Sequence, residues 1–141
     1  MTRIDFYVLP SESPEQIDLF ACRLAEKAFR SGLRVLIAVD DSERAQKLDD
    51  LLWTYREDSF LPHAPQNIDQ QAAIEINSGE DPGMHHGLLI NLCADIPAWF
   101  SRFERLAEIV CQHPDSLARS RTRYSHFRDR GYPLQSHKIP N

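Results

Sequence analysis

Arginines surround a tyrosine near the carboxyl end of the 141-residue chain. If this segment is helical, four positions share one stripe that should face the core: Leu117, Ser120, Tyr124 and Phe127. Arg121 and Arg128 border that stripe on the side of Tyr124. Two guanidinium groups beside a tyrosine can hold a carboxylate while an apolar side chain packs alongside. The pattern therefore suits an acidic peptide that ends in an aromatic residue.

The alternative for this segment is an ordinary solvated basic face, with Arg119, Arg123 and Arg130 on the opposite side of the helix. The charge distribution argues against that alternative. Residues 115–141 carry six Lys or Arg and two Asp, a net charge of +4. Because the whole chain has a net charge of −5, residues 1–114 have a net charge of −9. An acidic body repels a long polyphosphate, whereas the basic end can hold a short acidic partner. General nucleic-acid binding is therefore disfavoured.

A second candidate surface combines Trp53 with Phe60, Leu61 and Pro62. These residues follow a helical pattern that loses its periodicity after Trp53. One interpretation is a lid over the core. The other is an exposed apolar patch that binds a partner, since Trp and Phe are typical anchors of interfaces. The residues alone do not separate the two.

The usual signatures of a nucleotide or metal enzyme are missing. The first strand–helix turn, residues 9–14, has no glycine and carries Glu12 where a phosphate would lie, and no GxxxxGK[ST] motif occurs. His85 and His86 are adjacent and are expected to be solvated loop residues rather than metal ligands. No G-x-S-x-G elbow is present. We therefore expect no catalytic residues, no cofactor and no metal.

The cysteines and the apolar runs indicate the compartment. Three cysteines without a CxxC pair argue against a disulfide framework, and Cys22 and Cys93 fall in apolar patterns typical of buried, inert thiols. No apolar run approaches the length of a membrane span, and residues 1–5 contain no apolar signal region. A cytoplasmic location is expected.

Strand and helix patterns alternate along the chain. Apolar runs predict strands at 4–9, 34–39, 72–76 and 88–92. Helical spacing predicts four helices: one ending at Gly32, one capped by Asp40 or Asp41, one from Asp95 to before Pro114, and one from Asp115 to Gly131. Residues 132–141 read as irregular. The alternation predicts one α/β domain over residues 1–141, with three layers, a mostly parallel sheet and helices on both faces.

Several segments, in order, resemble the chi subunit of bacterial DNA polymerase III holoenzyme. The segments are residues 6–9, 32–39, 48–53, 59–63, 121–128 and 131–132; residues 66–87 match poorly. The resemblance implies a Rossmann-like fold without a nucleotide-binding loop. It also implies a non-catalytic accessory subunit of the clamp-loader complex, which pairs with the psi subunit and binds the acidic C-terminal tail of single-stranded DNA-binding protein. Contact with single-stranded DNA would then be indirect.

The resemblance also assigns residues to surfaces. Arg121, Tyr124 and Arg128 match the tail-binding helix. Trp53, Phe60, Leu61 and Pro62 match the surface used for psi, through which family members have also been linked to a helicase of the XP-D type.

One position departs from the family pattern, which can have a lysine directly after the tyrosine. Ser125 stands there, so the tail site has one cation fewer, unless Arg123 or His126 supplies the charge.

Two rival functions remain. One is a small α/β enzyme, a hydrolase or nucleotide-binding protein, whose site lies near the carboxyl ends of the strands without a sequence signature. The other is a direct DNA-binding domain, in which the basic helix acts against the acidic body.

Overall fold

The computed structural model of the protein describes residues 1–54, 63–65, 73–78 and 81–140, with the backbone alone at Trp53 and at 63–65. Within these ranges the chain forms seven strands, three α-helices and one short 3₁₀ helix. In chain order they are β1 (Arg3–Val8), α1 (Glu15–Arg30), β2 (Val35–Ala38), α2 (Ser42–Thr54), β3 (His63–Pro65), β4 (Ile74–Asn77), β5 (Leu88–Asn91), the 3₁₀ helix (Phe100–Arg102), β6 (Arg105–Val110), α3 (Pro114–Asp129) and β7 (Leu134–Lys138).

The strands form one sheet in the order β3-β4-β2-β5-β6-β1-β7, and every pairing among these described strands is parallel. Alternate side chains enter two separate cores, as a sheet covered on both faces requires. In β2, Val35 and Ile37 pack under α1 and α2, whereas Leu36 and Ala38 pack on the α3 side. The predicted three-layer α/β fold with a parallel sheet is confirmed.

The helix predicted from Asp95 to Pro114 is wrong. A 3₁₀ turn is followed there by β6, which lies between β5 and β1 at the centre of the sheet. Its Leu106 and Val110 face one core and its Ala107 and Ile109 the other. A strand buried on both faces is an apolar run, and periodicity does not distinguish it from a buried helix.

The assignment of residues 132–141 as irregular is also wrong, because they contain β7. This strand is at the edge of the sheet and pairs with β1, with Ser136 opposite Phe6 and His137 opposite Tyr7. Gln135, Ser136 and Lys138 are exposed. An edge strand with polar side chains lacks the apolar run used to recognise the other strands.

Hydrogen bonds at the starts of α2 and α3 identify the residues that cap these helices. The Asp41 carboxylate accepts from the Arg44 amide at 2.8 Å, which makes Asp41 the cap of α2. In α3 the cap is His113, whose Nδ1 accepts from the Asp115 amide at 3.2 Å, so Asp115 is not the cap. The helix ends at Asp129, two residues before Gly131, whose φ of +82° suits glycine.

The turn from β1 to α1 is tied to the turn from β6 to α3 at the carboxyl end of the sheet. The Gln112 side-chain amide donates to the Leu9 carbonyl at 2.9 Å, and its backbone amide donates to the Ser11 carbonyl at 2.8 Å. The backbone of this glycine-free turn is thus engaged in contacts within the protein. The turn from β1 to α1 is therefore not a nucleotide-binding loop.

Candidate binding site on the last helix

Helix α3 is polar, and two of its residues are buried. Phe127 is fully buried and Arg123 is 7% exposed. The ring of Phe127 packs edge-on against Phe6 of β1 and against Phe100 of the 3₁₀ turn, with centroid distances of 6.5 and 5.4 Å. The sequence folds this segment as a helix because Pro114 lies in the first turn and Gly131 stops it. Phe127 then holds its second half on the sheet.

A groove of about 440 Å³ lies between α3 and the edge of the sheet. We call it the α3 groove. Its lining residues are Phe6, Val8, Val110, Ser120, Arg121, Tyr124, Ser125 and Ser136. Phe6, Val8 and Val110 of the strands supply an apolar surface, and Ser136 of β7 supplies a hydroxyl. The helix supplies a guanidinium, a phenol and two further hydroxyls. The groove therefore offers apolar contact and a positive charge side by side.

The structure brings together three of the four predicted residues of this site. Arg121, Tyr124 and Ser125 line the α3 groove. Arg128 is exposed but does not line the groove, and its Nε lies 3.3 Å from the Asp129 carboxylate. Tyr124 was predicted to face the core, yet 39% of it is exposed. Its ring therefore serves as a wall of the groove rather than as core packing.

Sequence reasoning missed the strand residues of this groove. Phe6 and Val8 alternate along β1 and lie on the same face of the sheet as α3, and Ser136 is the register partner of Phe6 in β7. The alternation of β1 was a usable signal for Phe6 and Val8. Ser136 had none, because β7 itself was not predicted.

The charge of Arg121 is available to a ligand. Its side chain is exposed, and among the described residues no carboxylate forms an ion pair with it. An arginine can bind a carboxylate through two parallel hydrogen bonds, and it does so most effectively beside apolar surface that excludes water.

Arg123 does not lie on a solvated face, contrary to the sequence interpretation. Its Nη1 donates to the Glu108 carboxylate of β6, and its Nη2 donates to the carbonyls of Cys93 and Ala94 at 2.7 and 2.5 Å. Burial raises the pKa of Glu108, and the neighbouring Arg123 opposes that rise. Because Arg123 is committed to these partners, it does not replace the cation missing at Ser125.

The comparisons with known proteins agree with one another. The family model described as "DNA polymerase III chi subunit, HolC" matches residues 1–135. The DNA polymerase III subunit chi of Pseudomonas aeruginosa is 41% identical over 140 residues, which cover 99% of each chain. The subunits of the same name from Haemophilus influenzae and Escherichia coli are each 29% identical and cover at least 95% of both chains.

The chain belongs to the DNA polymerase III chi subunit family. The resemblance seen in the sequence is confirmed. Membership implies an accessory part of the polymerase complex in DNA replication, with partners within that complex.

The second predicted surface of this chi-family chain falls mostly outside the structural description. The Trp53 backbone lies in the last turn of α2, while Phe60, Leu61 and Pro62 lie outside the described residues. The assignment of these four residues to a partner surface stays a prediction.

A smaller crevice of about 230 Å³ lies at the carboxyl ends of β5 and β6, where α/β enzymes commonly bind ligands. Glu108, Arg123 and Asn91 line it and bond to one another, with Asn91 Nδ2 donating to Glu108 at 2.8 Å. Three of the polar groups that line the crevice are therefore already joined, because Glu108 bonds to both Asn91 and Arg123.

His85 is buried, which contradicts the expectation of solvated loop histidines; His86 is exposed. The Nε2 atom of His85 lies 2.8 Å from the Glu75 carboxylate of β4. Burial, and then the charges of Arg34 and His86, lower the pKa of His85 to about 4. Within the described ranges, no group of three or more His, Cys, Asp or Glu residues could hold a metal ion.

The three cysteines are free, and Cys22 is buried as predicted, whereas Cys93 is half-buried. Burial raises the pKa of both Cys22 and Cys93 to about 12, so their thiols stay protonated at neutral pH. No helix among the described residues has the length and apolar character that crossing a bilayer demands.

Proposed function

We propose that this chain is a non-catalytic, cytoplasmic adaptor of the clamp-loader complex. In this proposal the α3 groove binds the acidic C-terminal tail of single-stranded DNA-binding protein. The surface that carries Trp53, Phe60, Leu61 and Pro62 binds the psi subunit, and it is also the surface for a helicase of the XP-D type. The chain would meet single-stranded DNA indirectly, through the protein that coats it.

The observation that carries the tail assignment is the position of Arg121 at the edge of an apolar groove. A peptide ending in an aromatic residue presents a ring and a terminal carboxylate within a few ångströms of each other. The Phe6 and Val110 side chains provide an apolar surface for the ring, and the Arg121 guanidinium provides the partner for the carboxylate. Tyr124 lines the same groove, with its ring against Phe6.

Tethering is the mechanism. One tail in an open surface groove forms a weak complex, because its ion pairs stay in contact with water. Many tails on one coated strand raise the effective concentration around the adaptor, so a weak site suffices to keep the loader nearby. The acidic body of the chain, at −9 over residues 1–114, opposes direct contact with the DNA phosphates.

Calorimetric titration tests this function with a peptide ending Asp-Asp-Ile-Pro-Phe and a matched peptide that lacks the final Phe. We expect binding of the first peptide in the micromolar range, weakened by salt, and no measurable binding of the second. Arg121→Ala should remove most of the binding. Arg119→Ala removes an exposed arginine of the same helix that does not line the groove, and should bind as the wild type does. Absence of binding at low salt, or equal losses in both variants, would refute the tail site.

A further inference from the structure

Helix α3 is anchored at its first turn, where the Ser116 hydroxyl accepts from the Cys111 amide at 3.0 Å, and otherwise packs on the sheet largely through apolar side chains. Of its 16 residues, Arg123 and Phe127 are the buried ones. Phe127 holds the helix through ring packing, which tolerates small rotations and shifts. A shift by one residue rotates a helix by 100° and moves it by 1.5 Å, which would turn Arg121 and Tyr124 away from the groove.

In the second half of α3, the Arg123 guanidinium supplies the directional contacts that ring packing lacks. Its acceptors lie on two separate segments, the Glu108 carboxylate in β6 and the Cys93 and Ala94 carbonyls after β5. A planar guanidinium that bridges three fixed acceptors has one orientation and one depth. Asn91 in turn donates to Glu108 at 2.8 Å and holds that carboxylate in place.

Arg123 reaches these acceptors on the side of α3 that does not line the groove. It lines the crevice at the carboxyl ends of β5 and β6, whereas Arg121 and Tyr124, two residues before it and one after it, line the groove. It can therefore act on a bound peptide only through the position of the helix.

We propose that Arg123, through its buried pair with Glu108, is the positioning residue of the α3 groove. It sets the rotation and height of α3 on the sheet, and so the distance from the Arg121 and Tyr124 side chains to Phe6. The inference rests on the proposed tail-binding function and extends it to a residue that does not touch the peptide.

The test separates positioning from stability. Removing Arg123 alone leaves Glu108 buried without its charge partner, which is strongly destabilising. The combined variant Arg123→Met with Glu108→Gln removes both charges, keeps an oxygen that accepts from Asn91 and roughly preserves volume. We expect it to fold, because removing both charges leaves no unpaired buried charge, although the Cys93 and Ala94 carbonyls lose their donor. Measured well below the melting temperature of the double variant, the affinity for the peptide should fall about fivefold or more.

Two further readouts identify the cause. The slope of log K against log salt should equal the wild-type slope, because Arg123 makes no contact with the peptide; Arg121→Ala should reduce both affinity and slope. Arg119→Met is the matched control, because it removes an exposed arginine of the same helix that acts on Glu108 through its charge and not through the hydrogen bonds that Arg123 makes. The peptide affinity of this variant should stay within about twofold of the wild type.

A folded double variant that binds the peptide as tightly as the wild type would overturn the positioning role. If the double variant does not fold, Arg123→Lys decides: lysine keeps the charge next to Glu108 but lacks the planar fork, and unchanged affinity would equally overturn the proposal. A wild-type protein that binds no tail would instead overturn the proposed function itself. That result is distinguishable because it appears before any variant is compared.

Discussion

The rings of Tyr124 and Phe6 lie 5.5 Å apart, centroid to centroid, and are tilted by 53°. Phe6 is buried in the sheet, and Tyr124 stands half in solvent on α3. The pair therefore joins the core to the surface at the α3 groove, with one ring contributing the apolar floor and the other a wall. A ligand side chain in the groove would extend this aromatic cluster.

Replacement of Tyr124 should affect binding more than folding. We expect Tyr124→Ala to weaken the aromatic-ended peptide about tenfold, because the wall of the groove is lost, and to lower stability by about 1 kcal/mol through the lost ring pair. Tyr124→Phe keeps the ring and should retain most of the affinity. Titration of both variants with the same peptide measures the difference. Equal losses in the two would mean that the hydroxyl, and not the ring, carries the contact.

The two arginines assigned to the tail should contribute unequally. Arg121 lines the α3 groove, whereas Arg128 lies outside it and beside Asp129, at 3.3 Å. We expect Arg121→Ala to remove most of the binding and to lower the salt dependence. Arg128→Ala should lower the affinity by about threefold or less, as expected for an exposed charge near the site. Titrations at two salt concentrations provide the comparison, and a larger effect of Arg128→Ala would move the site toward the end of α3.

Sequence patterns predicted the parts of the fold that local physics determines. The strands β1, β2, β4 and β5 are apolar runs, and the first, second and last helices carry a periodic face, so their existence was predictable. β6 and β7 were not, because pairing across the sheet decides their conformation: β6 has apolar residues toward both faces and β7 has few.

The candidate site also combines residues that local spacing predicts with residues whose position depends on distant parts of the chain. Arg121 and Tyr124 were predicted from helical spacing, which fixes their relation to each other. The inward direction of Arg123 was not predictable, because it depends on Glu108, fifteen positions earlier in a strand that the sequence did not indicate. A lone arginine at a core position looks the same in sequence as an exposed one until its partner is located.

Acid should destabilise the fold through His85. The unfolded ring takes up a proton near pH 6.5, while burial lowers the pKa in the folded protein to about 4. The unfolded state therefore binds more protons between these values, so stability present above pH 6.5 is lost as the pH falls toward 4. The loss is at most about 3 kcal/mol, because the Glu75 carboxylate at 2.8 Å favours the charged ring. Urea unfolding across this range measures it.

A matched pair of variants tests whether His85 causes this pH dependence of stability. His85→Gln should flatten the pH dependence, whatever its effect on overall stability. His86→Gln removes only the least of the three causes that lower the pKa of His85, so most of the pH dependence should remain. A slope that persists in His85→Gln would show that His85 is not the source of the acid sensitivity.

Trp53 tests the second proposed surface independently of the first. We expect Trp53→Ala to weaken binding of the psi subunit by about tenfold or more, as loss of an aromatic anchor does, while the tail peptide binds as before. The contact should resist salt, because an apolar interface loses little to screening. Tyr124→Ala is the reciprocal control and should bind psi normally. Pull-down and calorimetry with purified psi provide the measurement. If Trp53→Ala unfolds the chain, Trp53 belongs to the core and the psi surface must be sought elsewhere.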